Sequence, residues 1–147
     1  MRARTPLALL AILGACTDTS CPSSCDDCAG VCLVAANIVP ICTRTCTDSR
    51  GCVQGEVCAE LSTLGGSFRS PGRICLPIEG PRVCPEVTSW THCDPAFGSS
   101  CEGASVRVES STFTSTPFCA RLYQYCANGC VVVRPGPAGF AQCNPTP

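Results

Sequence analysis

The sequence predicts a small, disulfide-rich, loop-dominated fold with short β hairpins and little helix outside an amino-terminal export signal. Three observations predict it. Seventeen of the 147 residues are cysteine, a density that marks disulfide scaffolds. One tryptophan, two tyrosines and five phenylalanines leave little material for a large apolar core, so cross-links at about 2–4 kcal/mol each must supply much of the stability. The clearest periodic signals have the two-residue period of strands.

The chain opens Met1-Arg2-Ala3-Arg4-Thr5-Pro6, runs from Leu7 to Leu13 without a polar side chain, and meets small residues at Gly14-Ala15 before Cys16. A positive start, a short apolar stretch and small residues at its end make an export signal. Seven apolar residues rise about 10 Å as a helix against a hydrocarbon core of roughly 30 Å, too short to span. Ordinary cleavage wants small side chains in both pocket positions, and Leu13 fits the second one poorly. Leu13-Gly14-Ala15-Cys16 instead resembles the lipobox of bacterial lipoprotein precursors. That resemblance implies a signal peptide over 1–15, a diacylglycerol on the Cys16 sulfur and often a further acyl chain (palmitate) on its new amino group. Two or more chains anchor stably where one does not. In that family Asp directly after the cysteine favours inner-membrane retention in many enterobacteria. Thr17 stands there, so the expected address is the cell envelope, at the outer membrane. If the lipobox is not used, the protein is secreted.

Cysteine parity points the same way. Setting Cys16 aside leaves an even set of disulfide candidates: Cys21, Cys25, Cys28, Cys32, Cys42, Cys46, Cys52, Cys58, Cys75, Cys84, Cys93, Cys101, Cys119, Cys126, Cys130 and Cys143. Export and cysteine density imply an oxidising compartment, and the connectivity itself is not deducible from spacing. Ten arginines, no lysine and eleven acids give a formal charge of −1, without the basic footprint of a nucleic-acid binder.

Along the mature chain, residues 16–20 read as a lipidated polar stalk, 21–77 as one cysteine-rich module, 78–81 as a linker and 82–147 as a second module. The first module holds nine cysteines and the second seven, so either a disulfide crosses between them, the preferred reading, or the boundary lies inside the 59–74 loop. Leu33 to Val39 is read as a strand ending near Pro40. The run Cys42-Thr-Arg-Thr-Cys46, continued by Cys52, Cys58 and Cys75-Leu76-Pro77, resembles the small cysteine repeats of exported bacterial proteins and, more distantly, the amino-terminal cysteine-rich region of dickkopf proteins. Within it Asp48 and Gly55 suit tight turns. Val106 and Val108 alternate with Arg107 and Glu109 as in a half-buried strand. Tyr123 to Ala127, Asn128-Gly129 and Cys130 to Arg134 read as a hairpin with a type I′ turn, which puts Cys126 and Cys130 on opposite faces and forbids their pairing.

No residue set forms a catalytic motif. Cys21, Cys25, Cys28 and Cys32 have ligand-like spacing, but not that of ferredoxin runs, and exported cysteines meet oxidants; structural disulfides are the better reading. Cys25-Asp26-Asp27-Cys28 has redox-dithiol spacing, yet two aspartates raise a thiol pKa where such sites lower it. His92 is the lone histidine and lacks a marked nucleophile or orienting acid. Asp26-Asp27 and the pair Glu56 and Glu60 miss the calcium-loop pattern. Trp90, Phe97 and Phe118 read as scarce core.

The expectation is therefore a non-enzymatic, membrane-anchored lipoprotein with a binding, adhesion or envelope-interaction role, no metal, no cofactor and no nucleic acid. Its partners are the membrane, through covalent lipid, and a protein or envelope component. The alternative is a secreted protease inhibitor or toxin-like effector acting through the 58–75 loop, with Arg69 and Arg73 exposed on it.

Overall fold

A computed structural model describes residues 24–34, 38–61, 71–82, 84, 98–112, 119–136 and 138–147. The signal segment, Cys16, Cys21, Arg69, Trp90, His92, Cys93, Phe97 and Phe118 lie outside them. The described strands are β1 (Val31–Leu33), β2 (Ile41–Thr43), β3 (Glu56–Leu61), β4 (Ile74–Pro77), β5 (Ser99–Glu102), β6 (Val106–Thr112), β7 (Cys119–Tyr125), β8 (Cys130–Arg134) and β9 (Phe140–Cys143). The helical element among the described residues is a single 3-10 turn, Ser49–Gly51. The fold is disulfide-rich, loop-dominated and built of short antiparallel strands.

A five-stranded antiparallel sheet in the order β4-β3-β7-β6-β5 forms the centre, flanked by two ribbons, β1-β2 and β8-β9. Strand β3 pairs with β7 through Ala59↔Leu122, Glu60↔Arg121 and Leu61↔Ala120, so one sheet takes strands from both cysteine-rich stretches. The intervening 77–81 segment is a packed turn: the Gly80 amide donates to the Pro77 carbonyl at 2.8 Å, and Pro81 is fully buried.

Because side chains alternate across a strand, this register sorts the sheet into two faces. One presents Ala59, Leu61, Ile74, Leu76 and Ala120, and Leu33 and Ile38 pack on them to make the apolar core. Full burial of one such aliphatic side chain stabilises by about 1.5–3 kcal/mol, and this cluster has only seven members. The opposite face carries Ser100, Val108, Ser110, Arg121, Tyr123 and Tyr125.

Exposed sheet edges invite foreign strands, and both edges of this sheet are covered. At β4, the Cys75 amide donates to the Arg44 carbonyl at 3.0 Å and the Cys46 amide to the Arg73 carbonyl at 3.1 Å, with Thr45 bridging Ile74. The Thr43 hydroxyl also donates to the Cys75 carbonyl. At β5, the Ser99 amide donates to the Gly139 carbonyl at 2.8 Å. The Ser99 hydroxyl donates to the Ala141 carbonyl at 3.0 Å and accepts from the Ala141 amide at 2.8 Å.

Six disulfides fall into three interlaced pairs: Cys25–Cys32 with Cys28–Cys42, Cys46–Cys58 with Cys52–Cys75, and Cys101–Cys130 with Cys126–Cys143. Each pair follows the same rule. The third and fourth cysteines stand directly opposite on adjacent strands, as Cys32↔Cys42, Cys58↔Cys75 and Cys130↔Cys143, yet each bonds to an upstream cysteine. Every two-stranded unit is thus stapled outward to the segment that precedes it. Cys84 and Cys119 are disulfide-bonded as well. None of these six crosses between 21–77 and 82–147, and Cys21 and Cys93 lie outside the described residues.

Two expectations change. The first strand is Val31–Leu33 rather than Leu33 to Val39, and it pairs with β2 through Val31↔Thr43, Cys32↔Cys42 and Leu33↔Ile41. The Asn128-Gly129 hairpin does not form: β7 pairs with β3 and β6, while β8 pairs with β9. Among described non-glycine residues only Asp27 has positive φ, so Asn128 lacks the conformation a type I′ turn needs. Gly129 alone has it, at 90°. Its amide donates to the Cys126 carbonyl at 3.0 Å, and the Cys130 amide turns away to the Ala104 carbonyl at 2.7 Å.

Replacing Cys52 and Cys75 together by Ala should cost about 3 kcal/mol, the loop-closure value for a bond that spans 23 residues. Chemical denaturation of both proteins checks this, and an unchanged midpoint would refute the stapling role.

Candidate functional site

The polar face of the sheet is the candidate site, and its construction begins in the 3-10 turn. Asp48 caps that turn: its Oδ1 accepts the Arg50 amide at 3.0 Å and Arg50 Nε at 3.0 Å, while Oδ2 accepts Arg50 Nη2 at 2.8 Å. Asp48 is buried, and the side-chain bonds from Arg50 hold its carboxyl below the usual carboxylate range. So fixed, the Arg50 guanidinium lies 3.7 Å over the Tyr125 ring. Ser49 Oγ accepts the Tyr125 amide at 2.9 Å.

A second stack lies beside the first. Arg73 sits 3.8 Å over the Tyr123 ring and clamps Glu102 with Nη2 at 2.7 and 2.8 Å from its two oxygens. The Tyr123 hydroxyl donates to Glu60 Oε2 at 3.0 Å. Burial, then the Glu60 carboxylate, pushes the Tyr123 phenol up. These cation–π contacts, in which the guanidinium is drawn to the negative face of the ring, tie the 48–51 turn and β4's leading edge to β7.

Beyond Tyr123 the face opens. A cleft of about 270 Å³ is lined by Gly98, Ser99, Ser100, Val108, Ser110, Arg121, Gly136 and Gly139. Its far wall exists because of a backbone approach: a Cβ on Gly98 would stand 2.0 Å from the Gly139 carbonyl oxygen. Arg121 is exposed. The acid directly across from it, Glu60, is engaged by Tyr123 instead. Two cations on or beside the central sheet do have acids: Arg107 pairs with Glu109 and Arg73 with Glu102. Among the described residues no acid lies within ion-pair distance of Arg121.

A different surface is apolar. Val131, Val132 and Val133 of β8 and Phe140 of β9 are all exposed, on a ribbon that contributes no residue to the core cluster.

The residues singled out in the sequence have varied fates. Arg73 is only partly exposed and is committed to Glu102 and Tyr123, which corrects its expected place as a free inserting side chain. Glu56 pairs with Arg44 at 2.6 Å. Cys25, Cys28 and Cys32 have no thiolate to offer, since all are in disulfides. The sulfurs of Cys46, Cys52 and Cys75 gather within 4.8 Å of one another, but each is likewise bonded. Every described cysteine is in a disulfide. Sequence reasoning did not single out Arg121, Ser100 or Ser110; the alternation Arg121-Leu122-Tyr123-Gln124-Tyr125 carries the signal, once Leu122 is known to face the core.

Compared with known proteins, the chain matches no protein-family model, no curated protein and no solved structure.

A carboxyl whose pKa is lowered by folding contributes stability above its unfolded value, 3.8 for Asp48, and loses it as the pH falls toward the folded value. Asp48→Asn should therefore destabilise at neutral pH, with the gap to the parent protein closing in strong acid. Denaturant midpoints at the two pH values test this; a gap independent of pH would show that Asp48 acts by turn geometry alone.

Proposed function

We propose that the protein is an exported, lipid-anchored binding module: a disulfide-stapled domain without a catalytic role, held at the envelope surface by acyl chains on Cys16 and presenting its open surfaces to a protein or envelope partner. The observation that carries this reading is that every described cysteine is consumed in a disulfide, which calls for an oxidising compartment. The lipobox-like Leu13-Gly14-Ala15 and the odd cysteine count supply the anchor. An outer-membrane address follows from Thr17 after the cysteine. An exposed apolar strand beside a polar cleft is the kind of surface that marks interaction sites. The competing inhibitor reading loses one of its two inserting arginines, since Arg73 is held by Glu102; the rest of that loop, 62–70, lies outside the described residues.

Intact mass of the native protein beside a Cys16→Ser variant tests the anchor. Acyl mass present in the first and absent from the second, with no free thiol in either, is the expected result. An unmodified Cys16, or several free thiols in the native protein, would overturn the reading.

A further inference from the structure

We infer that the Arg121 cleft binds a hydroxylated carboxylate, the chemistry of a uronic-acid unit in an acidic glycan. This rests on the binding-module reading above and names its ligand class.

Arg121 is the starting point. A guanidinium presents a planar fork of donors that matches a carboxylate bidentately. Here Arg44, Arg50, Arg73 and Arg107 take a nearby acid and Arg134 takes the Ala138 carbonyl, whereas Arg121 lines the cleft with neither. Arg121 has Glu60 as its cross-strand neighbour, yet the Tyr123 hydroxyl draws that carboxylate. The fork is left facing a cavity with its donors open.

The walls fix the rest of the ligand. Ser110 stands directly across from Arg121 on β6, and Ser100 directly across from Val108. Neither hydroxyl has a protein partner among the described residues, in contrast to Ser99, whose hydroxyl is spent on Ala141. A hydroxyl both donates and accepts, so two of them beside a cation suit a ligand that carries hydroxyls next to its charge. Val108 supplies the single apolar wall, enough for the C–H face of one sugar ring. The volume, about 270 Å³, admits one ring with its substituents. The wall at Gly139 is also fixed by the fold: Gly98 lets its backbone approach too closely for any Cβ between them, and the Ser99 amide donates to the Gly139 carbonyl at 2.8 Å.

Chemical-shift titration of the full disulfide-bonded protein tests the assignment, with glucuronate and galacturonate as probes, glucose as the neutral control, and acetate and inorganic phosphate as the bare anions. A ligand of this size should bind with a dissociation constant on the order of 1 mM, with shifts centred on Ser100, Val108, Ser110 and Arg121. Glucose, acetate and phosphate should each be weaker by about tenfold, since each lacks half of the contacts. Arg121→Gln, on an exposed position and so without effect on folding, should lose uronate binding by about tenfold or more; Arg121→Lys keeps the charge without the fork and should fall between. The inference is overturned if uronates do not bind, if bare anions bind equally well, or if Arg121→Gln keeps the parent affinity. None of these outcomes bears on lipid at Cys16, which the mass experiment decides separately.

Discussion

The fold depends on a stapling rule repeated three times. In each unit two cysteines face each other across adjacent strands and neither takes the other as partner; both reach back to earlier cysteines. A bond between the facing pair would only repeat what the strand hydrogen bonds already fix. The outward bonds instead remove freedom from the preceding loops, where chain entropy is largest. Cys46 and Cys52 thereby hold the 46–52 stretch beside β3 and β4. Cys101 and Cys126 hold the β8-β9 ribbon beside β5. With seven buried residues in the core cluster, the hydrophobic effect alone would leave those ribbons loose.

That division of labour leaves one sheet face available for chemistry. The small core secures the sheet from behind, while the Cys46–Cys58 and Cys52–Cys75 staples and the tyrosine–arginine stacks at Tyr123 and Tyr125 cover part of the front. Glu60 is central to what remains. It accepts from Tyr123, and its cross-strand neighbour Arg121 has no acid within ion-pair distance among the described residues; the proposed ligand site is built on that arrangement.

Local chemistry was legible in the sequence and long-range pairing was not. The two-residue alternation at Val106 to Glu109 marks β6, and Asp48 and Gly55 mark their turns: Asp48 bonds the Arg50 amide two residues on, and Gly55 has φ +88°. The cysteine count gives the fold class. Asn128-Gly129 misleads because a turn signal reports only that the chain bends, whereas Cys101–Cys130 and Cys126–Cys143 decide which strands flank the bend. Arg73 looked exposed for a similar reason, since its partner Glu102 lies 29 residues on. The cleft was invisible until the register put Ser110 and Arg121 opposite each other on one face.

Disulfide mapping of the native, oxidised protein tests the stapling rule most directly. Proteolysis without reduction, followed by mass spectrometry, should recover Cys25–Cys32, Cys28–Cys42, Cys46–Cys58, Cys52–Cys75, Cys101–Cys130 and Cys126–Cys143. Bonds between the facing cysteines, 32 with 42, 58 with 75 or 130 with 143, would contradict it.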